Sequence, residues 1–195
     1  VAVRLVSAFS STGSGTTVPL GLQFKLKPGW KIYWRSPGDA GLPPKVTWDR
    51  SENVKDLIIG WPAPKRFSVL GLETLGYLDE VILPVELKTI LSGATIVRAK
   101  VEYLICEKVC IPYVNTLELS LPAGRAVLSD YSNLISQYIA QIPQRDSRHG
   151  LSIESSHLTK SGDKNEIIFR AQNKNNFIQP DIYVEGPAGR HFGKP

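Results

Sequence analysis

The feature that most constrains this chain is a series of short segments with alternating apolar and polar residues, separated by Gly, Pro and Asn. The clearest runs over residues 18–27 and ends at Pro28-Gly29. A period of two places every second side chain on one face of a strand, which can then be buried. Further strands are predicted at residues 31–35, 45–48, 54–59, 81–89, 95–106 and 114–121. No strand–helix–strand order appears, so the pattern predicts an all-β fold, an antiparallel β-sandwich.

Pro28-Gly29 separates two of these segments by a tight turn. Residues 22–27 and 31–35 are therefore predicted to pair as a β-hairpin.

Composition narrows the class of protein. Hydrophobic residues make up 42% and charged residues 21% of the 195 residues, which is enough to build a core. No stretch approaches the roughly 18 apolar residues that span a bilayer. The net charge of +5 has no clustered basic face, so we expect no nucleic-acid partner and a slight preference for acidic surfaces. The chain has no Met, even at position 1, and we expect it to begin after a removed targeting segment.

Residues 126–143 depart from the strand pattern. Apolar side chains recur at helical spacing from Tyr131 to Ile142, after Ser129 or Asp130 as a possible N-cap and before Pro143. The spacing predicts one amphipathic helix that packs on the sandwich, and residues 1–125 are the sandwich itself.

The remainder of the chain is predicted to be a linker followed by more strands. Residues 144–150 are polar and lack periodicity, as expected of a linker. Strands are predicted at 151–155, 166–172 and 181–185, with turns at 161–163 and 186–189. About 45 residues bury too little surface to close a second sandwich alone. Residues 151–195 are therefore predicted to be the start of a second β-domain, and the chain a fragment of a longer protein.

The two cysteines, Cys106 and Cys110, stand at the end of a predicted strand with three residues between them. A tight reversal over those residues brings both sulfurs across a hairpin neck, within the roughly 7 Å between Cα atoms that a disulfide tolerates. Such a bond closes almost no chain and adds little stability by restricting the unfolded state. A redox switch explains it well, but a structural disulfide fits the spacing too, and the sequence leaves both open.

Two other chemistries are less compatible with the residues present. Zinc usually takes four ligands, and the nearest histidine, His149, lies across the predicted linker. Copper favours Met or His companions, and Met is absent. A Cys-dependent hydrolase needs a His base, which residues 1–125 do not contain. We therefore expect no metal and no cofactor.

Four segments together carry a resemblance to a known family: GWKIYW (29–34), PGDAGLPP (37–44), LPV (83–85) and CEKVCIP (106–112). They resemble the periplasmic N-terminal region of the DsbD family of thiol:disulfide interchange proteins. The similarity is greatest to the branch called suppressor of copper sensitivity. It covers roughly residues 1–125 and implies an immunoglobulin-like sandwich.

The resemblance also implies a function, that of a protein-disulfide reductase domain in the periplasm. Electrons would come from the thioredoxin-like domain of the same parent membrane protein and pass to soluble periplasmic thioredoxin-fold proteins. The membrane would be reached only through the remainder of the parent chain. Carried onto this chain, Cys110 matches the cysteine that forms mixed disulfides, and Cys106 would resolve them. The alternatives are a non-catalytic binding module with a structural disulfide and, from the name of the branch, a copper-binding module.

Members of the family shield their cysteines with a cap loop that carries an aromatic residue. The corresponding region here is 66–77, in which Phe67, Leu70 and Tyr77 are possible shielding residues. Ordinary sandwich core is an equally good explanation of these side chains.

Three polar residues are candidates for tuning the cysteine pair. Glu107 and Lys108 flank the sulfurs, where Lys108 would lower a thiolate pKa and Glu107 would oppose it. The Tyr33 hydroxyl is a possible hydrogen-bond donor to the sulfurs. Most charges in a turn are merely solvated, and Tyr33 is also a natural core anchor.

Overall fold

The computed structural model describes residues 1–69, 71–144, 150–186 and 192–195. The strands within these residues are β1 (Ala2–Ser7), β2 (Thr17–Lys25), β3 (Lys31–Gly38), β4 (Lys45–Thr47), β5 (Val54–Ile59), β6 (Lys65–Val69), β7 (Leu72–Leu78), β8 (Glu80–Thr89), β9 (Thr95–Cys106), β10 (Cys110–Leu121), β11 (Leu151–Ser161) and β12 (Lys164–Asn173). One helix, α1 (Ser132–Ala140), follows β10. The chain divides into two compact units, Val1–Pro143 with Glu185–Lys194, and Gln144–Val184 with Pro195.

The first unit is built on two antiparallel sheets. One has the strand order β1-β2-β8-β5, and the other the order β10-β9-β3-β7-β6 with β4 also paired to β9. The predicted all-β, immunoglobulin-like sandwich with one helix is therefore confirmed.

The core lies between these two sheets, where the period-two alternation of the sequence is fulfilled. On β9 every second residue is buried from Val97 to Ile105, and on β2 Leu20, Leu22 and Phe24 are fully buried. The Phe24 and Tyr103 rings meet edge to face, with 5.3 Å between centroids, so the two sheets are in direct contact. Each such side chain contributes about 1.5–3 kcal/mol when it is buried.

The helix α1 covers the outer face of the four-stranded sheet. Ile135 is fully buried and packs with Val6, Ala8 and Ile82. The helix is shorter than the predicted 126–143, and neither expected N-cap residue occupies the N-cap position. Ser129 instead donates its hydroxyl hydrogen to the Ser7 carbonyl, which fastens the segment before the helix to β1. In the part of the chain that the structure describes, no helix is long and apolar enough to cross a membrane.

Two predictions about strands are wrong. The hairpin at Pro28-Gly29 does not form, because β2 and β3 belong to different sheets and the turn is a crossover between them. The short-range turn signal could not reveal that both ends of the turn enter separate layers. Residues 181–185, which were predicted to be a strand, are not part of a strand in the structure. The region 66–77, expected to be a loop, contains the β6–β7 hairpin.

The second unit contains one antiparallel hairpin, β11 and β12, joined at Gly162-Asp163 and interrupted by a bulge after Ile153. The strands predicted at 151–155 and 166–172 are confirmed and are longer than expected. Residues 145–149 of the predicted linker and 187–189 of the predicted turn lie outside the described residues. The assignment of 151–195 to the start of a second β-domain stays a prediction.

The position of α1 yields a prediction about stability. Replacing Ile135 with Ala leaves a cavity between the helix and the sheet, and we expect the free energy of unfolding to fall by about 2–5 kcal/mol. Ile139→Ala is the matched control, because Ile139 is 40% exposed one turn later, and it should cost less than about 1 kcal/mol. Urea denaturation followed by circular dichroism measures both. Equal losses in the two variants would contradict the described packing.

Candidate functional site

Cys106 and Cys110 form a disulfide with an S–S distance of 2.04 Å. Cys106 is the last residue of β9 and Cys110 the first of β10, and the register pairs them directly across the hairpin. The three residues between them make the predicted tight reversal, closed by the Glu107 N–H, which donates to the Val109 carbonyl at 3.1 Å. The bond thus ties the neck of one hairpin and does not connect distant parts of the fold.

The two cysteines differ strongly in exposure. Cys106 is 2% exposed, whereas Cys110 is exposed. Cys110 stands on β10, which is the edge strand of its sheet. A thiolate must approach its target sulfur directly to exchange a disulfide, so access decides which cysteine can react with another protein. Cys110 has that access in this structure and Cys106 does not.

The burial of Cys106 depends on its neighbour β3. Along β9, Cys106 shares a face with Glu102 and Leu104, which are only half-buried. At the end of β9, Cys106 and Ile105 pair with Lys31 and Ile32 of β3, whereas Glu102 pairs with the exposed Lys45 of β4. Residues 31–34 of β3 are all buried, so both faces of that strand are covered.

Lys31 is the residue directly opposite Cys106 in the register, and sequence reasoning missed it. It is 8% exposed, and its Nζ donates to the Thr74 hydroxyl oxygen at 3.3 Å. The rings of Phe67 and Tyr33 lie 5.6 and 5.9 Å from Nζ. Burial lowers the pKa of Lys31 from its usual value. A lysine within a run of large apolar and aromatic residues was the available signal.

The β6–β7 hairpin occupies the region predicted to shield the cysteines. Phe67 on β6 is half-buried beside the Lys31 ammonium, and its carbonyl accepts a hydrogen bond from the Thr74 hydroxyl at 3.3 Å. The structure therefore brings Phe67 to the strand that covers Cys106. Leu70, the second candidate, lies outside the described residues.

Tyr77, the third shielding candidate, lies elsewhere. It pairs with Ile32 and therefore shares a face with that residue, opposite to the face of Lys31 and Cys106. Its buried hydroxyl donates to the Pro62 carbonyl at 2.8 Å, and burial raises its pKa. The structure does not bring Tyr77 to the cysteines.

The segment Pro37-Gly38-Asp39 (PGD) is hydrogen-bonded to the β6–β7 hairpin at Glu73 on β7. The Asp39 N–H donates to the Glu73 carbonyl at 2.8 Å, and the Glu73 N–H donates to the Asp39 carboxylate at 2.8 Å. Gly38 has a φ of +86°, and a Cβ at this position would overlap the Glu73 carbonyl oxygen. Glycine is therefore required for the close approach that lets Asp39 bind β7.

The three tuning candidates lie in contrasting environments. Tyr33 is two residues from Lys31 on the same face and is 3% exposed, and burial raises its pKa, so it is neutral at physiological pH. Glu107 and Lys108 are exposed, and the Glu107 carboxylate accepts a hydrogen bond from the Lys108 N–H at 2.9 Å.

Pro112, two residues after Cys110, lies on the edge strand β10 and pairs with Leu104. Among the described residues, no group of three His, Cys, Asp or Glu is placed to hold a metal ion.

Comparisons with known proteins agree on the nature of this domain. Residues 2–122 match the family model described as "Thiol:disulfide interchange protein DsbD, N-terminal". Among solved structures, the N-terminal periplasmic domain of ScsB from Proteus mirabilis is similar, with 28% sequence identity and a TM-score of 0.56. The likeness covers 88% of this chain and 80% of that one. Among curated proteins, no match was found.

The short span of the disulfide yields a second prediction. Cross-linking residues four apart restricts the unfolded chain only slightly. We therefore expect the double variant Cys106→Ser/Cys110→Ser to lose no more than about 2 kcal/mol of unfolding free energy. Urea denaturation of the variant and of the oxidised wild type measures the difference. A loss above about 4 kcal/mol, or failure to fold, would indicate a structural staple.

Proposed function

The chain belongs to the family of N-terminal domains of the thiol:disulfide interchange protein DsbD, and we propose that it passes electrons from a membrane reductase to soluble thioredoxin-fold proteins through Cys106 and Cys110. Membership of the family and the likeness to the ScsB domain make it a thiol:disulfide exchange module in general terms. The proposal adds the direction of electron flow, the partners and the roles of the two cysteines.

The unequal exposure of the two bonded cysteines is the observation that carries the proposal. An exchange module needs one sulfur that a partner can reach and a second that resolves the mixed disulfide without reacting with other molecules. Cys110, exposed on the edge strand, has the first property, and Cys106, at 2% exposure, has the second. A purely structural disulfide has no need for this difference.

The reaction proceeds in two displacements from the reduced domain. The Cys110 thiolate attacks one sulfur of the partner's disulfide, and the partner's other sulfur leaves with the electron pair as a thiolate. The Cys106 thiolate then attacks Cys110, forms the intramolecular disulfide and expels the partner's remaining sulfur as a second thiolate. Two electrons have moved from the domain to the partner. The same two displacements in the reverse direction, with the dithiol of the donor as the attacking group, reduce the disulfide of the domain again.

The partners in this proposal are those that the resemblance to the family implies. The donor is the thioredoxin-like domain of the same parent protein, and the acceptors are soluble thioredoxin-fold proteins of the periplasm. The similar ScsB domain is described as periplasmic, which supports that location here. Phe67, beside the strand that covers Cys106, is our candidate for the shielding residue of the β6–β7 hairpin.

The cysteine roles are tested by trapping. The partner is a thioredoxin-fold protein whose single accessible cysteine carries a thionitrobenzoate leaving group. The reduced Cys106→Ser variant should form a stable mixed disulfide with it, since Cys110 attacks and no thiol resolves the adduct. The matched Cys110→Ser variant should react at least about tenfold more slowly, because its thiol is buried. Mass spectrometry and the release of thionitrobenzoate measure adduct and rate. No adduct with Cys106→Ser would overturn the assigned roles.

The reduction potential separates exchange from a structural disulfide. A pair that cycles should equilibrate with glutathione and have a potential above about −300 mV. The measurement uses the wild-type chain at a series of glutathione ratios, with the oxidised fraction counted by alkylation. A potential well below that value would favour the binding-module alternative.

A further inference from the structure

Lys31 is a buried cation that no carboxylate of the described residues neutralises in the disulfide form. Of the residues that the structure describes, it is the only Lys or Arg among the buried ones, and no described carboxylate pairs with it. Its ammonium has one hydroxyl partner, Thr74, and two aromatic rings. Burying a charge without an opposite charge costs stability, and an apolar residue of the same size avoids that cost. The oxidised protein is therefore less stable with a lysine at this position than it would be with an apolar residue of the same size.

Reduction supplies the missing anion. The register places Lys31 directly opposite Cys106, where paired Cα atoms lie about 4.5–5.5 Å apart and both side chains leave the sheet on the same face. The lysine stem has four flexible carbons. The ammonium can therefore move from Thr74 toward the Cys106 sulfur by side-chain rotation, with the backbone unchanged.

We propose that Lys31 is a positioning residue of the exchange reaction, and that its ammonium group is the counter-ion of the Cys106 thiolate present whenever the disulfide is open. The inference rests on the proposed function, because it needs a pair that cycles between two redox states. A buried thiol in apolar surroundings resists ionisation, and the resolving step requires the thiolate. Lys31 makes that thiolate available at neutral pH.

Other charged groups near the pair are poorly placed for this role. Glu107 and Lys108 in the hairpin loop are exposed and oppose each other in sign. On the β6–β7 hairpin, Lys65 is exposed and Arg66 pairs with Glu73 at 3.9 Å. Glu102, on the same face of β9 as Cys106, accepts a hydrogen bond from the Lys100 ammonium at 3.1 Å. Tyr33, whose ring lies 5.9 Å from the Lys31 Nζ, stays neutral, because burial raises its pKa.

In the resolving step Lys31 neither gains nor loses a proton. The Cys106 thiolate donates its electron pair to Cys110, the bond between Cys110 and the partner breaks, and the partner's sulfur leaves as a thiolate. Lys31 then returns to Thr74 beside a neutral disulfide. The lysine thus favours the reduced and mixed-disulfide states over the closed one.

The first test compares Lys31→Met in both redox states. In oxidised protein the variant should be at least as stable to heat as the wild type, since an unpaired charge is removed and the Thr74 hydroxyl keeps its bond to the Phe67 carbonyl. In reduced protein it should be less stable. By the thermodynamic cycle, its equilibrium with glutathione should shift toward the disulfide by about tenfold, which is about 30 mV. If Lys31 had only a structural role, Lys31→Met would change the stability of the oxidised and of the reduced protein by the same amount.

The second test follows the Cys106 thiol itself. In the Cys110→Ser background, the rate of alkylation by iodoacetamide against pH gives the pKa of Cys106. Adding Lys31→Met should raise that pKa by about one unit, and the difference should vanish at pH values above both pKa values. Lys31→Arg, which keeps the charge, should restore much of the original value. Lys45→Met is the charge-matched control, because Lys45 is exposed on β4 opposite Glu102, and it should leave the pKa unchanged.

The outcomes separate this inference from the proposed function. If the wild type cycles with glutathione and Cys106→Ser traps a partner, but Lys31→Met alters neither the pKa nor the equilibrium, the inference alone is wrong. If the wild type does not cycle, the proposed function fails first. Should Lys31→Met fail to fold, Lys31→Gln removes the charge while keeping an amide donor for Thr74, and the same two measurements decide.

Discussion

Antiparallel pairing at the end of β9 is the constraint on which the site depends. On one side, Cys106 is paired with Cys110 on an edge strand, and on the other with Lys31 on a strand covered on both faces. Cys106 therefore lies between an accessible sulfur, that of Cys110, and a buried cation, that of Lys31. A shift of the register by one position would turn Cys106 to the core face and remove both relationships. The core contacts of Val101, Tyr103 and Ile105 on that face hold the register in place.

Most of the sandwich could be predicted, because the alternation of residues reports directly on a half-buried strand. The bounds expected for β5 and β9 agree with the structure, and so does the reversal between the cysteines. The prediction of a hairpin at Pro28-Gly29 was wrong because β2 and β3 belong to different sheets. The packing of the two layers decides to which sheet a strand belongs, and a local turn signal does not encode it. The β6–β7 hairpin was missed for a related reason, since its strands are defined by pairing with each other and with β3.

The site could be predicted from the sequence only for residues, such as cysteine, whose type alone indicates a specific chemistry. Two cysteines close in sequence pointed to sulfur exchange or a disulfide without further information. Their unequal exposure depends on which strand lies beside β9, and the sequence does not state it. Lys31 shows the limit most clearly. Alternation alone would give a lysine in a strand a solvent-facing position, whereas Lys31 is buried with the rings of Phe67 and Tyr33 beside its ammonium. Its role follows only from pairing.

Pro112 has a consequence for how long a partner remains bound. An exposed edge strand invites a visiting chain to extend the sheet through a continuous ladder of main-chain hydrogen bonds. On edge strands, proline turns its missing N–H to the open side, so such a ladder would be interrupted at Pro112, two residues from Cys110. Under the exchange proposed for Cys110, a docking protein would be held by the transient covalent bond and a small surface around it. Once that bond is broken, few main-chain hydrogen bonds would delay the release of the partner.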